Sequence, residues 1–76
     1  MTGYYRFRTR AGEFRIAPAP AGWLIWHDGN RLDGPFPRAQ SAAEDLANGH
    51  SAWPACGDPS RLDIPDDIAD WELIPR

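Results

Sequence analysis

Two turn signals cut the first half of this chain into short alternating runs, a pattern that favours antiparallel hairpins over other folds. Tyr4 to Thr9 alternates, with Tyr5, Phe7 and Thr9 on one side and Tyr4, Arg6 and Arg8 on the other. A period of two is the signature of a half-buried strand. Ala11-Gly12 marks a turn, and Glu13 to Ile16 alternates again with Phe14 and Ile16 inward. A two-residue loop at Ala11-Gly12 sets Arg10 against Glu13, Thr9 against Phe14 and Phe7 against Ile16. Every apolar residue then lands on one face. Arg6, Arg8, Arg10 and Arg15 share the other face with Glu13.

Pro18 to Gly22 reads as a loop. Trp23 to His27 is a third strand, and Asp28-Gly29-Asn30 is the strongest hairpin signal in the chain. Arg31 to Asp33 returns as a short fourth strand, ended by Gly34-Pro35. The third strand is apolar on both faces, with Trp23 and Ile25 on one side and Leu24 and Trp26 on the other. Such a strand is usually covered on both sides or central in its sheet. Its second face therefore calls for a cover from later in the chain.

Ala39, Ala42, Ala43, Leu46 and Ala47 recur at helical spacing, and Gly49 stands where a left-handed residue ends a helix. Ser41 and Glu44 match a capping box that would start the helix late. A start near Arg38, directly after Pro37, gives a longer helix that packs better and is preferred. From His50 onward the chain is rich in Pro and Asp, yet Trp53, Leu62, Ile64, Ile68 and Trp71 are too many apolar anchors for a disordered tail. Pro65 with Asp66 and Asp67 suggests one helical turn, and Trp71 to Ile74 a last short strand. This segment is the expected cover for Leu24 and Trp26. The fold class expected is α+β in a single domain over 1–76. It has two antiparallel β-hairpins forming a small sheet, one helix packed on it, and a C-terminal wrap ending in a short strand. The expected core holds Phe7, Phe14, Ile16, Trp23, Ile25, Leu32, Leu46 and Trp71.

Seventy-six residues bury only roughly 60% of the surface that the unfolded chain exposes, so the four Trp and three Phe must supply much of the core. One cysteine, Cys56, excludes an internal disulfide. The longest apolar run, Trp23 to Trp26, is far too short to span a membrane, and the first residues lack the apolar core of a signal peptide. A cytoplasmic, membrane-free protein is expected. Lysine is absent, and the GC-rich codons of Arg, Ala, Gly, Pro and Asp are a better explanation than a functional preference for Arg. The placement of the arginines is a separate matter. Residues 1–38 hold six Arg against three acids, a balance of +3, and residues 39–76 hold two against eight, a balance of −6. Poles of this kind steer charged partners and perform no chemistry by themselves.

No catalytic, cofactor-binding or metal-binding residues are assigned. His27, His50 and Cys56 lack metal-ligand spacing, and Cys56 in an apparent loop has no electropositive helix start to activate it. A domain of this size rarely encloses a pocket of several hundred cubic ångströms. Two surfaces remain. Asp63, Asp66, Asp67, Asp70 and Glu72 form an acidic pole that surrounds Trp71, suited to a protein partner with a basic groove. Arg6, Arg8, Arg10 and Arg15 form a basic sheet face with Tyr4 at its end, suited to nucleic acid. A pI near 5.1 and the lack of a second exposed aromatic weigh against the basic face.

Gly22-Trp23, the Asp28-Gly29 hairpin, the helix Ala42 to Ala47 and the ending Ile64-Pro-Asp-Asp-Ile-Ala-Asp-Trp71 resemble a class of small bacterial and phage open reading frames. These share a Trp hairpin, an Ala-rich helix and a Pro-Asp-Asp-x-x-x-Trp ending, and the class carries no assigned activity. In size and acidity the chain also resembles anti-CRISPR proteins. That resemblance implies a non-enzymatic protein-binding module, an inhibitor that blocks a host nucleic-acid-binding complex through its acidic surface. The alternative is a small nucleic-acid-binding domain using the Arg-rich sheet face.

Overall fold

The strands β1 (Tyr4–Thr9), β2 (Gly12–Ala19), β3 (Gly22–His27) and β4 (Asn30–Phe36) form a meander of consecutive hairpins in the computed structural model, which describes residues 3–75. A helix, α1 (Ala39–Ala47), follows, then 3-10 turns at Pro59–Arg61 and Ile68–Asp70, and a last strand β5 (Glu72–Ile74). β5 pairs with β1, so the sheet order is β4-β3-β2-β1-β5 and every neighbouring pair is antiparallel. The α+β expectation holds.

The first hairpin turns one residue earlier than expected. Thr9 pairs with Gly12, Phe7 with Phe14 and Tyr5 with Ile16, leaving Arg10-Ala11 as the loop. The Thr9 hydroxyl explains this, because it accepts the Ala11 N–H at 3.0 Å and donates to the Gly12 carbonyl at 2.9 Å. Pairing moves by two residues, an even number, so each side chain keeps its face. The second hairpin turns at Asp28-Gly29 with φ of 48° and 84°, the left-handed pair that a tight hairpin requires.

Two strands run further than expected. β2 continues through Pro18 to Ala19, because Pro18 lies beyond the stretch of β2 that pairs with β1 and no N–H is wanted on that side. β4 continues through Gly34 and Pro35 to Phe36, where Pro35 occupies an edge strand that needs no outward donor.

One face of the sheet is covered. Phe14, Ile16 and Ile25 are fully buried against Ala39, Ala42, Ala43 and Leu46 of α1, whose alanines let the helix lie close to the strands. The helix begins after Arg38 and ends before Gly49, which has φ of 73°. Trp71 completes the core, its ring 5.8 Å from Phe7 and its indole N–H donating to the Pro65 carbonyl at 3.0 Å. Trp23, Leu32 and Phe7 pack against this core while half-buried.

The C-terminal segment lies on that same covered side, and this corrects its expected role. Ile64, Trp71, Leu62 and Ile68 all pack into or against the core beside the helix. Gln40 fastens the segment to α1, its amide N–H donating to the Asp66 carbonyl at 3.0 Å and its oxygen accepting the Ile68 N–H at 2.8 Å. The helical turn sits at Ile68–Asp70, capped by Asp67, rather than directly behind Pro65. Leu24 and Trp26 therefore receive no cover from it. The physical reason is that α1 alone leaves room beside itself, and burying Trp71 and Ile64 there completes one core instead of starting a second.

Candidate binding face

Directly opposed residues of antiparallel strands project from the same side of a sheet. The pairings Arg6–Glu72, Arg6–Arg15, Arg15–Trp26 and Trp26–Arg31 therefore make one row across all five strands on the uncovered face. On one side of this row lies Arg8 opposite Glu13. On the other lie Tyr4 opposite Ile74 and Ala17 opposite Leu24. The face thus grades from charged to apolar along the strands.

Three of its arginines are held by carboxylates. Glu13 sits among them, with Arg15 Nε donating to Oε1 at 2.6 Å, and with Arg8 Nε at 3.6 Å and Arg6 Nη1 at 3.7 Å from Oε2. The Arg15 hydrogen bond, then the charges of Arg15, Arg6 and Arg8, hold the Glu13 carboxyl below its ordinary range. Arg6 also donates to Glu72 Oε1 through Nε at 3.1 Å and Nη2 at 2.8 Å, which raises its own pKa. The Arg15 guanidinium lies over Tyr4, its carbon 5.0 Å from the ring centroid. Arg31 differs. Its Nη2 reaches only the Gly34 carbonyl at 3.3 Å, and among the described residues no carboxylate pairs with it.

Between the apolar edge and this row the surface dips into an open concavity of about 490 Å³, lined by Tyr4, Arg15, Ala17, Pro18, Leu24 and Trp26 among others. It is a groove in an open sheet, so the expected absence of an enclosed pocket does not touch it. Tyr4, Leu24 and Trp26 are half-buried without joining the core. Trp26 is the second aromatic that sequence reasoning did not place here. The signal was present, since alternation puts Leu24 and Trp26 on one face, but the expected C-terminal cover concealed it.

Arg6, Arg8 and Arg15 come together on this face as expected, whereas Arg10 leaves it. Placed in the hairpin loop, Arg10 turns toward the C-terminal segment and donates to the Arg61 carbonyl at 2.9 Å. The acidic residues are divided. Glu72 belongs to the basic face through its pair with Arg6. The Asp67 carboxylate accepts the Ala69 N–H at 2.9 Å as a turn cap. Asp63, Asp66 and Asp70 are exposed, and among the described residues none of them makes an ion pair.

The remaining candidates have structural partners or lie in loops. His27 Nε2 is 2.8 Å from the Ala11 carbonyl, and its ring centroid is 4.6 Å from that of Phe14. Cys56 is exposed. Among the described residues no group of three or more His, Cys, Asp and Glu side chains is placed to hold a metal ion, and no helix is long and apolar enough to cross a membrane. No protein-family model, curated protein or solved structure matches this chain.

Proposed function

We propose that this chain is a non-enzymatic protein-binding module whose working surface is the uncovered face of the sheet. The observation that carries the reading is a groove floored by Trp26, Tyr4 and Leu24 with arginines beside it. Trp, Tyr and Arg dominate the energetically important centres of protein interfaces, because each combines a large contact area with a directed polar group. A sheet face needs no cover of its own when a partner supplies it. Trp26→Ala at the centre of such an interface is expected to weaken binding by about 2 kcal/mol or more, roughly 30-fold. Affinity capture from nuclease-treated host extract, with wild type and Trp26→Ala side by side, tests this. A protein retained by both forms alike contradicts the proposal.

A second reading keeps the acidic residues as the contact, supported by the exposure of Asp63, Asp66 and Asp70, none of which makes an ion pair among the described residues. In that case the protein occupies a phosphate-binding groove of a host nucleic-acid complex and blocks it. Reversing Asp66 and Asp70 to Lys then abolishes capture while Trp26→Ala does not. Asp67 is left in place because it caps a turn.

A further inference from the structure

We infer that the groove takes a short segment of a protein partner in which a large apolar side chain stands next to a carboxylate. The inference rests on the sheet face being the working surface and concerns the chemistry it selects. The apolar half follows from the floor. Tyr4, Ala17, Leu24 and Trp26 line a concavity of about 490 Å³, within the range of roughly 300–1,000 Å³ that ligand sites occupy.

The carboxylate follows from the arginines on either side of Trp26, of which Arg15 lines the concavity and Arg31 stands next to Trp26 outside that lining. Arg15 and Arg31 are its two cross-strand neighbours. Arg15 gives its Nε to Glu13 and rests on Tyr4, so it is already oriented with its terminal nitrogens as remaining donors. Arg31 has no carboxylate among the described residues. A guanidinium fork beside an apolar floor is complementary to a carboxylate carried next to an apolar group.

Charge argues against the other occupants. Arg6, Arg8, Arg15 and Arg31 outnumber Glu13 and Glu72 on this face. Two copies stacked face to face would oppose like charges. A phosphate backbone needs a track of uncommitted cations, whereas Glu13 and Glu72 already engage three of the four arginines.

The test is an amide chemical-shift titration of the full chain with the peptide acetyl-Asp-Phe-Leu-Glu-amide, its neutral analogue acetyl-Asn-Phe-Leu-Gln-amide, and an oligothymidine strand. The acidic peptide is expected to move the signals of Arg15, Ala17, Leu24 and Trp26 and to bind about ten-fold more tightly than the neutral analogue. Arg31→Gln should remove most of that difference without altering the free spectrum elsewhere. Equal binding of the neutral analogue at the same signals overturns the carboxylate while leaving the sheet face as the working surface. Tighter binding of oligothymidine at those signals overturns the protein partner. If no probe moves them, this inference falls, while the sheet-face reading stands or falls by the Trp26→Ala capture.

Discussion

The Asp28 carboxylate accepts the Glu13 N–H at 2.9 Å while the Asp28 N–H donates to the Glu13 carbonyl at the same distance, so the turn of the second hairpin closes on the start of β2. Gly12 makes room for this contact, since a side chain there would meet the Asp28 carboxylate. The two hairpins are thereby fixed to each other at one end of the sheet, next to the cluster around Glu13.

Asp28→Ala should destabilise the fold by about 1–2 kcal/mol, from the lost acceptor and from placing Ala at a left-handed backbone position. Asp28→Asn keeps an acceptor and tolerates that backbone, and should cost less than about 0.5 kcal/mol. Urea denaturation of both variants checks the order. Equal losses would mean that neither the neutral acceptor nor the left-handed backbone position distinguishes Asn from Ala here.

The tryptophans should separate by face. Trp71→Ala removes a buried ring from the core and should cost about 3–5 kcal/mol. Trp26→Ala empties part of an open groove and should cost no more than about 1 kcal/mol. Thermal melts of the two variants read the contrast directly, and a Trp26 loss as large as that of Trp71 would place Trp26 in the core.

Acid should unfold the protein partly through Glu13 and Asp58. Glu13 is held below its ordinary range, first by the Arg15 hydrogen bond, and Asp58 is held down first by the Ser60 backbone N–H. A depressed folded pKa contributes stability that is present above the unfolded value, near about 4, and lost as pH falls through the folded value. The urea midpoint contributed by these groups should hold from neutral pH to about 5 and decline below about 4. Glu13→Gln should make the decline shallower. An unchanged acid slope would show that Glu13 is not among the groups responsible.

Gln40→Ala should free the C-terminal segment from the helix. It removes both hydrogen bonds to that segment, a loss of about 1–2 kcal/mol. Hydrogen exchange at the Trp71 amide, which donates to the Ile68 carbonyl and not to Gln40, should accelerate more than at Ile16 or Ile25. A uniform acceleration would mean that the segment and the sheet open as one unit.

Much of this was legible from local chemistry. Alternation places Phe14, Ile16 and Ile25 inward, Asp28-Gly29 makes its hairpin, and the alanine spacing makes the helix that starts after Arg38. Strand register was less legible, because the Thr9 hydroxyl decides it and a side-chain cap leaves no periodic trace. Pro18 and Pro35 looked like strand ends, since sequence does not say which strands lack a neighbour. The groove was hidden for a related reason. Whether Trp71 or Trp26 receives the shared cover depends on where α1 leaves space, and only the assembled core determines that.

The pairing of β5 with β1 brings together Arg6 and Glu72, 66 positions apart. The meander is built of neighbouring hairpins, whereas this last strand is drawn from the other end of the chain. By pairing there, β5 covers the edge that Tyr4 to Arg6 would otherwise leave open, the kind of template that invites pairing with another chain. Glu72 ties that cover, through its bond to Arg6, to the same arginine row that borders the groove.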